Sequence, residues 1–539
     1  MLKRMTAALL CLTILFSFSG CGKNEPKNAN KKINYYLDSE PKTLDPQIAS
    51  DSAATVAVEA LFEGLVRLGA DNRPYPGVAE KWVSSENDTV FTFTLRSSAK
   101  WSDKEKTPVT ANDFVYAFRR ALSPQTGSPT CSRMFCIQNA REVNAGTVPA
   151  DQLGVTAPDA HTLVVRLNYS YPDFPSITAA PVFMPCNQKF FESTSGRYGL
   201  EIKYLIGNGP FEIDGKYGWS HGQYLNLVRS GTYAGKQKPL PSNLKLTVQN
   251  KDNAITDPVD ALKSGTVDAI AVSGSQTAAA QAQGCTITSF EDTTWGLCFN
   301  TQSELMKSKN IRRAFIQAFD RAKVLQHLPK NMSAANDIIP PSTALLGKPY
   351  RSLAGGGSYF LKQDKNAASL LAAGLSELSL SELKSVTVIC PDDANVKLML
   401  NEMIASWNVQ FRNYFNMEPL SEDQLASRIQ SGDYQVALCP VQPASDGPLS
   451  VLSLFKSSEK NNPAKWKDSS FDAMLDSAEK SGGADSAAIF ANAEKYLNEQ
   501  GVFYPLYYEK HYYASSKGVT GIVFHPYGAG VDFIQAGKE

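Results

Sequence analysis

The chain carries no excess of either charge. Lys plus Arg and Asp plus Glu number 53 each, so the molecule as a whole has nothing to draw it to nucleic acid or an anionic membrane surface. Histidine is scarce. The five residues, His161, His221, His327, His511 and His525, never reach the His-Glu-x-x-His spacing that places two zinc ligands on one helical face, so each reads as ordinary structure. The nine cysteines match no zinc spacing either. There is no Gly-x-Ser-x-Gly elbow for an exposed serine nucleophile, and no Gly-x-x-x-x-Gly-Lys-Ser/Thr loop to cradle a nucleotide. Any ATP hydrolysis therefore belongs to a partner. Ser97-x-x-Lys100 and Ser457-x-x-Lys460 fit the serine-lysine pattern of penicillin-recognising acyl-enzymes, but the Lys-Thr-Gly that should accompany it is missing. A serine acyl-enzyme stays as the alternative.

What is present describes a large globular chain. At 539 residues, 43% hydrophobic and 20% charged, it is too long for one core, and two or three domains are expected. Its 22 Tyr and 26 Phe suit a protein that lines clefts with amphipathic rings, although most of them must serve the core.

The first twenty-one residues have a basic start at Lys3 and Arg4, an apolar run from Met5 to Phe18, and small residues before Cys21. That run is too short for a comfortable membrane span and has the layout of a signal peptide. Ser19-Gly20-Cys21 resembles the end of a bacterial lipobox, with Phe18 where leucine is usual. It implies cleavage before Cys21 and a diacylated cysteine, and two chains suffice for stable attachment where one would be marginal. Residues 22–32 lack any large apolar side chain and read as a tether. Loss of Cys11 and lipidation of Cys21 leave seven thiols, among which Cys131 with Cys136, or Cys439 with Cys285 or Cys298, are conceivable pairs.

Periodicity then predicts alternating strands and helices. Phe91, Phe93 and Leu95 alternate with Thr92 and Thr94 as a half-buried strand, and Thr110 is placed to cap a helix through Phe114, Val115 and Phe118. Further helices are expected at Ala53–Leu65, Asp257–Ser264, from an Asn310 cap through Phe319, and at 395–414, 471–478 and 487–497. Further strands are expected at Thr162–Leu167, Leu244–Val248, Gly265–Ile270, Val386–Cys390 and Gly501–Tyr508. The rhythm argues α/β layers.

Ala79-Glu80-x-Trp82, the threonine-rich strand ending in Leu95-Arg96, Trp101-Ser102-Asp103 and Val109-Thr110-Ala111-x-Asp113-Phe114 occur in an order that closely resembles the signature of the oligopeptide and dipeptide family of extracytoplasmic solute-binding proteins. Glu40-Pro41-x-Thr43-Leu44-Asp45-Pro46, Leu61-Phe62-Glu63-Gly64-Leu65, Gly207-Asn208-Gly209-Pro210-Phe211 and Arg312-x-Ala314-x-x-x-Ala318-x-Asp320-Arg321 extend the resemblance over nearly the whole mature chain. It is weakest from Cys439 to Leu452. The resemblance implies an α/β, two-lobed periplasmic-binding-protein-like fold of type II with an extra satellite domain. The first lobe would be discontinuous, from 32–62, 187–285 and 507–539, the satellite 63–186, and the second lobe 286–506. It further implies a monomeric, non-enzymatic receptor without cofactor or metal. Such a receptor would deliver a peptide or peptide-like solute to an ABC permease from the outer face of the cytoplasmic membrane, with a Gram-positive cell surface preferred to a periplasm.

In the resembled peptide binders a Gly-Trp-x-x-Asp-Tyr-x-x-Pro run supplies an aspartate that pairs with the peptide's free amino group. Here the corresponding run is Pro440 to Pro448, which puts Val441 at the tryptophan and Ala444 at the acid, with Gln442 between them. Thr130 stands where relatives place an aromatic. Either Asp446 takes over the ammonium or the ligand lacks a free amino terminus and is not a standard peptide, and the second is slightly preferred. Ser50, Asp51, Ser52, Tyr507 and Tyr508 are expected wall residues by position.

Overall fold

Two long strands, Thr286–Phe299 and Phe503–Ser515, pair antiparallel along most of their length and form the middle of a twelve-stranded sheet. The computed structural model describes residues 30–539 except 330–331, 356–360, 414, 444–446, 482 and 528–529, so the leader and Cys21 lie outside it. On one side the sheet continues through Ala269–Val272, Lys32–Leu37, Asn243–Val248, Tyr224–Arg229 and Phe211–Ile213. On the other it continues through Val436–Val441, Thr387–Pro391 and Asn416–Leu420. Lys32–Leu37 and Thr387–Pro391 each lie parallel to both neighbours, and helices such as Ala394–Phe411 and Glu422–Ser431 cross between strands, the α/β arrangement that buries both sheet faces. Each half is a lobe. The two crossing strands are the ladder they share.

The pairing of the crossing strands is broken twice. One irregularity falls between Glu291 and Thr293, leaving Asp292 as the extra residue, and the other between Trp295 and Gly296, leaving Leu506 extra on the opposite strand. Extra residues of this kind bend a strand and sharpen its twist. Arg321 holds the second bend by donating to the carbonyls of Pro505 (2.5 Å) and Leu506 (3.1 Å). Gly296 is required beside it, because a Cβ there would stand 2.4 Å from the Tyr504 carbonyl oxygen.

The satellite is a four-stranded antiparallel sheet in the order Ala79–Ser85, Val90–Leu95, Thr162–Arg166, Val155–Asp159, covered by the helix Ala111–Leu122. Phe91, Phe93 and Leu95 are buried and Thr92 and Thr94 half-buried, as the alternation predicts. Asp113 reaches back to accept from the Thr110 N–H at 2.7 Å, fixing the helix start. The satellite and the first lobe share one continuous core, from Ile33 and Leu246 through Phe62 and Leu65 to Phe93, Trp101 and Phe118. Polar joints reinforce it. Arg96, at the end of its strand, donates to the Glu63 carboxylate at 2.5 Å and to the Gly77 carbonyl, while the Tyr233 hydroxyl donates to the other Glu63 oxygen at 2.6 Å. Arg120 grips Asp45 with two bonds of 2.8 and 2.5 Å.

Several element boundaries differ from expectation. The helix predicted over Ala53–Leu65 runs Ser52–Leu61 and stops with Phe62 extended. The Gly207–Pro210 turn is the cause: Gly209 N–H donates to the Leu61 carbonyl (2.9 Å), and the Asn208 amide bonds both the N–H and the carbonyl of Glu63 (3.1 and 2.9 Å). A Cβ on Gly207 would lie 2.1 Å from the Leu61 oxygen, so only glycine admits this approach. The strand expected from Gly265 begins at Ala269, because Gly265 (φ +71°) closes the preceding helix Pro258–Lys263 in the left-handed conformation. Ser308, not Asn310, caps the helix Lys309–Gln317. The strand expected to end at Tyr508 continues to Ser515. All seven described cysteines, Cys131 and Cys136 included, are free thiols.

The Glu63 carboxylate is only 1% exposed, so deleting its partner strands a charge. Arg96→Ala is expected to lower stability by about 3–5 kcal/mol in urea titration, the usual result of breaking a buried ion pair from one side. A loss under about 1 kcal/mol, the range of exposed pairs, would contradict this joint.

Candidate functional site between the lobes

A cavity of about 810 Å³ opens where the carboxyl ends of parallel first-lobe strands meet the second lobe. Tyr35–Asp38 and Ile270–Ala271 come from strand ends, Ser50, Ser52 and Thr55 from the start of helix Ser52–Leu61, and Gln442 and Pro443 from beyond the second-lobe strand Val436–Val441. Carboxyl ends of parallel strands are where such sheets bind ligands, since the connecting loops diverge there. A second cavity of about 300 Å³ adjoins the first and shares Arg133, Ala180, Pro526 and Tyr527 with it. The satellite contributes Phe135, Tyr169 and Tyr171 to its walls, and the second lobe Leu449, Lys456 and Glu479. The combined space suits a solute of several residues or an equivalent small molecule.

The expected wall residues separate into two groups. Ser50, Ser52, Thr130 and Gln442 border the larger cavity, and the buried Thr130 hydroxyl oxygen has no hydrogen-bond partner among the described residues. Asp51 stands at the helix start, where its carboxylate accepts from the Ala54 N–H at 2.8 Å. Val441 is buried in the second lobe's core. Tyr507 packs into that lobe with its ring stacked on Trp295, centroids 6.0 Å apart, and the Tyr508 hydroxyl donates to the Asp337 carbonyl at 3.2 Å. Ala444 and Asp446 lie outside the described residues. Arg133, Tyr169, Tyr171, Glu479 and Tyr527 reach the cavities without having been singled out in the sequence, and only the Tyr169-x-Tyr171 pair within a turn-rich stretch signalled rings near a surface.

The electrostatics are mixed rather than of one sign. His525 borders the larger cavity, and burial pushes its pKa down to about 4, so it is a neutral imidazole whose Nδ1 lies 2.9 Å from Asn72 Oδ1. On the crossing strands His511 Nδ1 sits 2.7 Å from Asp292 Oδ1, and that bond raises the imidazole pKa. A backbone contact also spans the gap: the Asp173 carboxylate of the satellite accepts from the Leu346 N–H of the second lobe. Desolvation raises the Asp173 pKa to about 6, the Leu346 bond opposing it. No group of three or more potential metal ligands occurs among the described residues. Ser97 and Lys100 are exposed, and the Ser457 hydroxyl accepts from the Asp468 N–H at 3.0 Å.

Residues 73–463 match the family model of bacterial extracellular solute-binding proteins, family 5. The chain belongs to this family. As a family 5 protein it is 27% identical to the dipeptide-binding protein DppE of Bacillus subtilis, with 98% of this chain and 97% of that one covered. It is 25% identical to the probable deoxycholate-binding periplasmic protein YgiS of Escherichia coli, with 90% and 89% covered. Among solved structures it is similar to the substrate-binding domain of an oligopeptide ABC transporter from Bacillus anthracis, at 26% identity and a TM-score of 0.73 over 95% of this chain and 99% of that one. The pheromone receptor PrgZ shares the fold at 22% identity and a TM-score of 0.74, with 95% and 100% covered. The family 5 assignment and these neighbours establish the two-lobed, type II periplasmic-binding fold with its satellite.

The raised His511 pKa makes the bend at Asp292 sensitive to acid in a definite direction. A histidine stabilised as its cation contributes below the unfolded value of about 6.5 and loses that contribution as pH rises through the higher folded value. His511→Gln should therefore destabilise the protein more at about pH 5 than at about pH 9. Thermal unfolding of both proteins at the two pH values measures this, and an equal or inverted difference would show that the Asp292 bond is not what His511 contributes.

Proposed function

We propose that this protein is the substrate-binding lipoprotein of an ABC importer, capturing a peptide or peptide-like solute between its lobes and handing it to a membrane permease. The observation that carries the reading is the open cleft bordered by both lobes and spanned by two bent strands, in a chain of the solute-binding family. Relatives named for dipeptide and oligopeptide binding support a peptide. An extended peptide suits the site because its main chain bonds like an added strand, giving affinity without reading side chains. The protein is not an enzyme and works as a monomer. Its anchor is Cys21, on the outer face of the cytoplasmic membrane of a Gram-positive cell. The chain divides into a first lobe of 32–62, 187–285 and 507–539, a satellite of 63–186 and a second lobe of 286–506. Ser50, Ser52, Thr130 and Gln442 are the wall residues of the larger cavity that contact the solute.

A non-peptide solute is the second reading. Val441 and Ala444 stand where the resembled peptide binders carry tryptophan and aspartate, and one relative is named for a bile acid.

Calorimetry with tri- to pentapeptides, followed by mass spectrometry of the recovered peptide, separates these readings from catalysis. Intact peptides and a stability gain of about 2.7 kcal/mol at a free concentration about 100 times Kd are expected. Cleaved peptide would end the receptor reading, and intact peptides without affinity would favour the non-peptide solute.

A further inference from the structure

The space between the satellite and the second lobe holds a carboxylate that the described structure leaves without a partner. Glu479, on the helix Ser469–Ser481, borders both the 300 Å³ cavity and a crevice of about 60 Å³ next to it. It makes no hydrogen bond or ion pair with a described residue. The other acids on these walls are engaged: Asp173 by the Leu346 N–H, and Glu459 by the Asn461 N–H at 3.0 Å. The cations on these walls are engaged as well, Lys456 by Asp476, Arg141 by the face of the Phe135 ring at 4.7 Å, and Arg133 by a contact of its own. Burial raises the Glu479 pKa, with Lys456 and Arg141 opposing it and Asp476 adding to it. Burial leaves this carboxylate partly desolvated, and a ligand that supplies donors offsets that cost. Tyr169 and Tyr171, with centroids 6.2 Å apart, line the same space and offer the π faces that favour a cation.

We propose that Glu479 receives a basic nitrogen of the captured solute, a primary ammonium or a guanidinium, between the satellite and the second lobe. The proposal rests on the solute-binding reading of the cleft. For a peptide, the basic group is its amino terminus, which resolves the missing acid at Ala444 with a residue from a different helix. Because the carboxylate belongs to one lobe and the rings to the satellite, the contact is complete only when the two meet. It therefore favours the closed state.

The test uses trialanine and pentaalanine, each free and N-acetylated, in calorimetry on the wild type, Glu479→Gln and Glu479→Asp. It is paired with mass spectrometry of any solute the wild type retains through purification. Loss of one charged hydrogen bond corresponds to roughly 10- to 100-fold in affinity. The expected result is that Glu479→Gln weakens free peptides by that factor, leaves acetylated ones unchanged and melts as the wild type does, while Glu479→Asp keeps part of the preference for a free amine. Free peptides that bind Glu479→Gln as tightly as the wild type overturn the proposal and leave the peptide reading intact, as does indifference to acetylation. A retained non-peptide base that Glu479→Gln no longer holds supports the anchor and ends the peptide reading. A retained solute without a basic nitrogen overturns the anchor. A wild type that neither retains a solute nor binds these peptides overturns the Glu479 contact with a peptide amine and favours the non-peptide reading.

Discussion

The antiparallel ladder between Thr286–Phe299 and Phe503–Ser515 is the constraint on which the rest depends. It runs from Thr286 opposite Ser515, where the first lobe's Ala269–Val272 also pairs, to Cys298 opposite Phe503, where Val436–Val441 joins on the other side. Neither lobe can shift its register against the other without breaking that ladder. What remains available is bending, and the two bulges at Asp292 and Leu506 place it in the middle. Hinges between domains use a few positions at element ends or irregularities, where large backbone changes are absorbed without disturbing packed cores. The polar groups at these bends are satisfied by side chains from either flank, Asp292 by His511 and the Leu506 carbonyl by Arg321. The bends are therefore specified positions rather than weak ones.

The motifs that carry the family resemblance turn out to be joints. Glu63 of the Leu-Phe-Glu-Gly-Leu run meets Arg96 at the end of the threonine-rich strand, and Asp45 meets Arg120 beyond the Val-Thr-Ala-x-Asp-Phe motif. The Glu40 carboxylate accepts from Trp219 Nε1 (3.2 Å) and the Gly222 N–H (3.0 Å). Ser102 and Gly207 exchange two bonds, of 2.8 and 3.0 Å. Asp45–Arg120, Ser102–Gly207 and the Tyr233–Glu63 bond tie the satellite to the first lobe, while Glu63–Arg96 and the Glu40 contacts brace each from within. The walls of the cleft are built from other residues, outside these motifs.

That division explains what was legible. Phe91, Phe93 and Leu95 announce their strand because one face meets the core and the other does not, the condition under which alternation appears. Thr286–Thr294 announces nothing, because most of that stretch is exposed or half-buried on both faces, with Glu291 and Asp292 in its middle. Helix ends depart from the apolar periodicity where tertiary hydrogen bonds from distant turns take over, as the Gly207–Pro210 turn does at Leu61. In the site, Ser50, Ser52, Thr130 and Gln442 reach the larger cavity, but Val441 does not, since its strand is buried at every position except Pro440. Arg133, Tyr171 and Glu479 come from separate segments, and no spacing within any one of them reveals that the others lie opposite. Burial on one face leaves a local trace, whereas convergence across a cleft leaves none.

The central claim is that the second lobe closes on a solute about the two bent strands, as a population shift driven by the solute's preference for the closed state. Its most direct measurement is the distance between spin labels at Val83→Cys on the satellite and Val409→Cys on the second lobe, exposed by 62% and 80%. Cys131, the one described thiol that is not buried, would be replaced by serine first. Pulsed electron paramagnetic resonance should give a broad distribution without solute and a shorter, narrower one when a retained solute is added at saturation. An identical distribution in the presence of bound solute would contradict closure.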